Sequence, residues 1–204
     1  MANTWEQRKC NELFYFVKTK NTDASNKNVI TNSAEFGLIP QRDFFDKDIA
    51  NEGNTDNYTI INNGDFVYNP RKSTVAPFGP FNCYKLDEPG IVSPLYTCLT
   101  PYNKEYIDYL KWYFKTDKWH YYIQANGAQG GARHDRVGMT NELMCNIPIT
   151  IPLSIDEMDN ISSFMESLDN LITLHQRELI ILRRLIFICQ YLILIIFMNI
   201  THNG

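Results

Sequence analysis

From Met158 to Ile196 apolar residues recur in alternating steps of three and four without a break. Met158, Met165, Ile172, Leu179, Ile186 and Ile193 occupy one heptad position, and Ile161, Leu168, His175, Leu182, Cys189 and Ile196 the other. Steps averaging about 3.5 residues keep one seam of a helix facing a second helix. Ser154-Ile155-Asp156-Glu157 supplies the start, a capping box in which the Ser hydroxyl accepts from a free backbone N–H and the Glu reciprocates. About 40 residues at roughly 1.5 Å each reach about 60 Å, more than a small domain can cover. The sequence holds no second heptad region, so the partner helix is expected from another chain. His175 is the single polar residue in the seam and reads as a register-setting or partly exposed position. The expected pairing seam is thus Met158, Ile161, Met165, Leu168, Ile172, His175, Leu179 and Leu182.

The rest of the 204 residues differs in character. Residues 1–153 hold all nine prolines and all but one of the ten glycines, with 16 basic against 17 acidic side chains; residues 154–204 hold 3 against 6. Two prolines in Ile147-Pro148-Ile149-Thr150-Ile151-Pro152 block a helix and favour extended backbone. Two domains follow, 1–153 globular and 154–204 a long helix with an unusually apolar end. In the first, Val29-Ile30-Thr31, Tyr58–Ile61, Phe66–Tyr68, Ile91–Ser93 and Tyr96–Leu99 read as short strands. Asn62-Asn63-Gly64-Asp65 is a turn, residues 103–125 read as one helix, and 126–131 as a loop. Short strands mixed with helix give an α+β class, a mixed α/β domain followed by a coiled-coil-forming helix.

Composition excludes several function classes. Hydrophobic residues at 44% and charged residues at 21% describe a folded chain. A net charge of −4 excludes a uniformly basic nucleic-acid binder but leaves room for a local basic face. Cys10, Cys83, Cys98, Cys145 and Cys189 are odd in number, widely spaced and without a Cys-x-x-Cys, so reduced, mostly buried thiols in the cytoplasm are expected. Met1–Phe14 lacks the apolar run of a signal peptide. Residues 185–198 are almost wholly apolar, but 14 residues fall short of the roughly 20 that span a bilayer.

No nucleophile elbow, zinc-protease motif, Walker loop or dinucleotide fingerprint is present, and the four histidines lack metal-ligand spacing. No cofactor is expected. Asn69-Pro70 reads as a turn. Two windows stand out for carrying no acid. Residues 66–86 hold Arg71, Lys72 and Lys85; residues 118–134 hold Lys118 and Arg133 with His120, His134, Trp119, Tyr121 and Tyr122. Both fit solvated loops over a core of aromatics. Both also fit an approach face for a polyanion, where Lys and Arg neutralise phosphates and Gln or Asn reads adenine edges.

Six segments, in this order, resemble the specificity subunit of type I restriction-modification enzymes. They are Trp5–Lys9, Gly64–Pro70, Gly90–Tyr96, Gly130–Thr140, the paired Ile147-Pro148-Ile149 and Ile151-Pro152, and Leu168–Arg177. The resemblance implies a subunit without catalysis of its own. In that family two target recognition domains, each followed by a long helix, read the halves of a split double-stranded DNA target. Their helices pair antiparallel as a spacer. Modification (methyltransferase) subunits carry the AdoMet chemistry, and ATP-driven restriction subunits complete the enzyme.

With one domain and one helix, this chain resembles half such a subunit, paired with itself or another half through the helix. A homodimer would read a palindromic split site. Residues 185–198 depart from the polar, Lys-rich helix usual in the family, and a truncated or frameshifted reading frame would account for both departures. The resemblance puts DNA contact first at Arg133 and Arg136, then at Arg71, Lys72, Lys118, Gln129 and His134. The charged ones are also suited to structural ion pairs. A helical interaction protein, an inactive specificity-subunit fragment and a membrane-tethered protein are the competing readings.

Overall fold

The computed structural model describes residues 4–44, 55–127 and 135–202. The chain divides into two compact units, residues 1–159 and 160–204.

Among the described residues, four small antiparallel sheets build the first unit. The strand β1 (Trp5–Lys9) pairs with the last strand, β10 (Pro148–Pro152), in the register Trp5↔Pro152 to Lys9↔Pro148. The sheet has only two strands, so the prolines, which cannot donate, sit at its ends and interrupt no ladder. Ile149 and Ile151 point into the core while Thr150 faces out, the alternation a half-buried strand requires. A four-stranded sheet runs in the order β2 (Phe14–Phe16), β9 (Thr97–Pro101), β6 (Phe66–Tyr68), β7 (Phe81–Cys83). The hairpin β3 (Ile30–Ser33) and β4 (Gly37–Pro40) and the pair β5 (Thr59–Ile61) and β8 (Gly90–Val92) complete the set.

Short helices connect these strands: α1 (Cys10–Leu13), α2 (Gln41–Phe44), α3 (Ile107–Tyr113), α4 (His120–Asn126) and α5 (Asn141–Cys145). Mixed helix and strand content is therefore as expected. The turn at Asn62–Asp65 also forms: Asp65 N donates to Asn62 O, and Asn62 N to the Asp65 carboxylate. It joins two different sheets, because β5 pairs with β8 and β6 with β7 and β9.

One secondary-structure expectation fails. The single helix over 103–125 is broken into a 3-10 turn at Lys104–Tyr106, then α3, then α4. Phe114 and Trp119 are both buried, Trp119 at 1% exposure. Five residues of continuous helix would set them about 140° apart around the axis. The chain instead turns sharply: Thr116 Oγ1 donates to Tyr113 O, His120 N to Asp117 O, and Trp119 Nε1 to Phe114 O. The indole thereby enters an aromatic core with Tyr68, Phe81 and Phe114, at centroid distances of 6.0 to 6.2 Å. Edge-on packing of such rings adds to their area burial. A second cluster gathers Ile30, Leu38, Ile61, Val67, Tyr84, Val92 and Cys98.

Cys10 and Cys98 are buried, Cys83 and Cys145 half-buried and Cys189 exposed, all as free thiols. Burial pushes the Cys83 and Cys98 thiols up to about 12.

The helix α6 (Ile155–His202) begins where the capping box puts it, with Ser154 Oγ accepting from Glu157 N at 3.4 Å. Met158 is not available as a seam residue: it is 1% exposed and belongs to the core of the first unit. In the second unit Leu168, Ile172, His175, Leu179 and Leu182 are exposed, and Ile161 and Met165 half-buried. Leu171, Ile180, Ile181, Leu185, Phe187 and Ile188 are exposed as well, so the apolar surface is wider than a two-position seam. His175 Nδ1 lies 3.3 Å from Glu178 Oε2, one turn along. Among the described residues no helix is long and apolar enough to cross a membrane.

Candidate nucleic-acid interface

Strand β6 ends at Tyr68, and the chain then turns through Asn69-Pro70. Asn69 Oδ1 accepts from Arg71 N at 3.0 Å, a turn in which the carboxamide imitates backbone. Proline fits here because it sets its own φ and its missing N–H is not needed. Beyond the turn the backbone is caught by a distant segment. Val137 N donates to Pro70 O and Lys72 N to Asp135 O, both at 2.8 Å, with Arg71 and Arg136 as antiparallel bridge partners between them. Two arginines separated by 64 positions in sequence are thus neighbours across a two-segment ladder.

They border a groove of about 530 Å³. Its walls are the β3–β4 hairpin at Thr31–Ala34, the segment Asn69–Ser73 with Arg136, and Ser93, Leu95 and Tyr96 after β8; Gln41 and Tyr58 also line it. None of the described residues lining it is acidic. Three positive side chains with no acid among the described lining residues favour a positive field in the groove. Burial raises the Tyr96 hydroxyl pKa, while a backbone hydrogen bond from Asn32 and the nearby Arg71 charge oppose the rise. Tyr96 therefore stays a neutral donor beside Arg71.

Ala34 and Pro80 also line a second groove of about 460 Å³. That one is aromatic, with Phe36, Phe81, Phe114, Trp119 and His120, and carries Lys115 and Glu35. His120 stacks on Phe78 at 4.9 Å, and burial lowers its pKa.

Of the residues singled out in sequence, Arg71, Lys72 and Arg136 come together at the first groove. Arg71 and Lys72 are exposed and Arg136 half-buried. Lys118 is exposed in the turn between α3 and α4 and lines neither groove. Gln129, Arg133 and His134 lie outside the described residues. The first acid-free window builds one wall of the groove. Sequence reasoning missed the opposite wall, Thr31–Ala34 with Gln41; its only signal is that residues 28–34 carry no charge. Among the described residues no group of three or more His, Cys, Asp or Glu is placed to hold a metal ion.

No family model and no curated protein sequence matches the chain. Solved structures do. One concerns complex assembly and conformational transition of a type I restriction-modification system; it aligns with a TM-score of 0.62 at 12% identity, over 86% of this chain and 45% of that one. The HsdS subunit from Thermoanaerobacter tengcongensis aligns with a TM-score of 0.51 at 16% identity, over 87% of this chain and 40% of that one. This chain spans less than half the length of either. Over most of its residues it has the fold of the type I restriction-modification specificity subunit.

Proposed function

We propose that the chain is a DNA sequence-specificity subunit of a type I restriction-modification system, reading one half of a bipartite target. The observation that carries this reading is the groove bordered by Arg71, Lys72 and Arg136, with no acid among its described lining residues, on a fold shared with such subunits. Guanidinium and ammonium groups neutralise phosphates and fix register, while Gln41 and the groove hydroxyls can meet base edges. Gln129, Arg133 and His134 belong to the same reading through the resemblance of Gly130–Thr140, and Lys118 as an outlying phosphate contact. Catalysis is supplied by partners: modification subunits that methylate, and restriction subunits that cleave. The chain itself needs no cofactor and works in the cytoplasm, where the DNA is.

The second unit serves assembly. Exposed Ile172, Leu179 and Leu182 on one helix call for a companion helix, either from a second copy or from another half-subunit. Two copies would set two identical recognition domains about a twofold axis.

Sequencing of methylated DNA from cells with and without this gene tests the proposal. Loss of one split adenine-methylation motif with the gene is the expected result. An unchanged methylation pattern, with the modification subunits present, argues against it.

A further inference from the structure

Asn32 and Asn69 line the groove, and with Asn82, which lines the second groove, they form one hydrogen-bonded network. Asn32, only 3% exposed, donates through Nδ2 to Val67 O at 2.7 Å and Pro80 O at 3.3 Å. Its Oδ1 accepts from Asn82 Nδ2 at 2.7 Å, and its backbone oxygen accepts from Asn69 Nδ2 at 3.2 Å. Asn69 is held again by its N–H, which donates to Pro80 O at 3.0 Å. Its Oδ1 is the acceptor of the Arg71 N–H. One unbroken path therefore runs from a buried amide, through Asn69, to the backbone of Arg71, and across the bridge to Arg136. Burying so many polar atoms is tolerated only because each is paired, and a network so satisfied has one geometry.

We infer that Asn32 and Asn69 are positioning residues, which set the angle at which Arg71 and Arg136 meet DNA and so convert charge into sequence selectivity. The inference rests on the DNA-recognition reading above. Neither asparagine needs to touch the duplex. Phosphate attraction depends on charge number and tolerates small displacements, whereas a side chain reading a base edge does not. Loosening Asn69 therefore leaves the arginines charged and exposed but removes their alignment.

The test uses the full chain and a short duplex library of random sequence. It measures affinity for the unselected library, enrichment of preferred sequences after selection, and Tm. Asn69→Ala is expected to lower enrichment roughly tenfold, the scale of one lost base-pair contact. Affinity for the unselected library stays within about twofold. Asn69→Ser keeps an acceptor for the Arg71 N–H and recovers most of the enrichment. Asn82→Ala is the comparator: it removes one bond to Asn32 but leaves those of Asn32 to Val67 O, Pro80 O and Asn69, and the Asn69–Arg71 bond, in place, so it lowers Tm more than selectivity. If enrichment in all three variants simply follows Tm, the asparagines are structural and the inference is overturned. Arg71→Ala separates the two levels. Unchanged affinity for the library in that variant, or no enrichment by the wild-type chain, overturns the DNA reading and this inference with it; a weakened Arg71→Ala beside a fully selective Asn69→Ala overturns the inference alone.

Discussion

Arg71 and Arg136 face each other as antiparallel bridge partners, clamped on either side by the Val137–Pro70 and Lys72–Asp135 backbone hydrogen bonds. Like charges set opposite each other across a ladder are unfavourable by a few tenths to about 1 kcal/mol. The fold accepts that cost at the edge of a groove where none of the described lining residues is acidic. Arg71→Ala and Arg136→Ala should therefore leave Tm unchanged or slightly raised while weakening DNA binding. Each phosphate contact removed should reduce the log–log salt slope by about one. Salt titrations of binding, beside thermal melts, check both halves; a variant that lost affinity only by unfolding would show the opposite Tm.

Gly79 sits beneath the same turn. Its φ is +84°, and a Cβ added there would collide with the Asn69 carbonyl oxygen. Gly37, at φ +73°, has open space around it. Both positions disfavour an L side chain, but only Gly79 adds a backbone clash. Gly37→Ala should cost about 1 kcal/mol and Gly79→Ala at least about 2 kcal/mol more, a further Tm loss of roughly 4–8 °C. Equal losses in parallel melts would mean that the close approach to Asn69 carries no weight.

The groove shows why part of the site was legible in sequence and part was not. Arg71 and Lys72 were marked by a run without acid, a local property. Their contact with Arg136 depends on the backbone ladder across 64 intervening positions, which no local pattern encodes. The wall at Thr31–Ala34 is polar and uncharged, indistinguishable in sequence from any hairpin. Similarly, the stripe Tyr106, Leu110, Tyr113, Phe114 has helical spacing, but Trp119 lies off that face, and its burial breaks the helix. Strands β1 and β10 pair the two ends of the first unit; the sequence marks β10 as extended and leaves its partner open. The capping box and heptads, being local and periodic, give the start and surface of α6, while the burial of Met158 is tertiary.

Asp65 offers a pH signature. Burial raises its carboxyl pKa, and hydrogen bonds from Thr100 and from the Asn62 N–H pull it part of the way back. A raised native value means the folded state holds the proton more tightly than the unfolded chain. The group's contribution is thus favourable below the ordinary carboxylate value near 4, and it is lost as pH rises through the interval up to the raised value. Asp65→Asn keeps an oxygen for Asn62 N and removes the titration. Its Tm relative to wild type should climb as pH rises above about 4. A gap that stays constant over that interval would place the perturbed proton elsewhere.

The last prediction concerns the second unit. Ile172 and Leu179 are more than half exposed on α6, 55% and 57%, with His175 between them on the seam. Burying such a side chain is worth about 1.5–3 kcal/mol, and a symmetric pair of helices buries it twice. Ile172→Asp or Leu179→Asp should weaken self-association by roughly a hundredfold or more. His175→Leu, which replaces the one polar seam residue, should strengthen it. Because these side chains lie on the exposed helix, melting of the first unit should not move. Sedimentation velocity over a concentration series reads all three variants. A wild-type chain that stays monomeric throughout, with the aspartate variants indistinguishable from it, would mean that the seam does not pair with its own copy and that the companion helix comes from a different subunit.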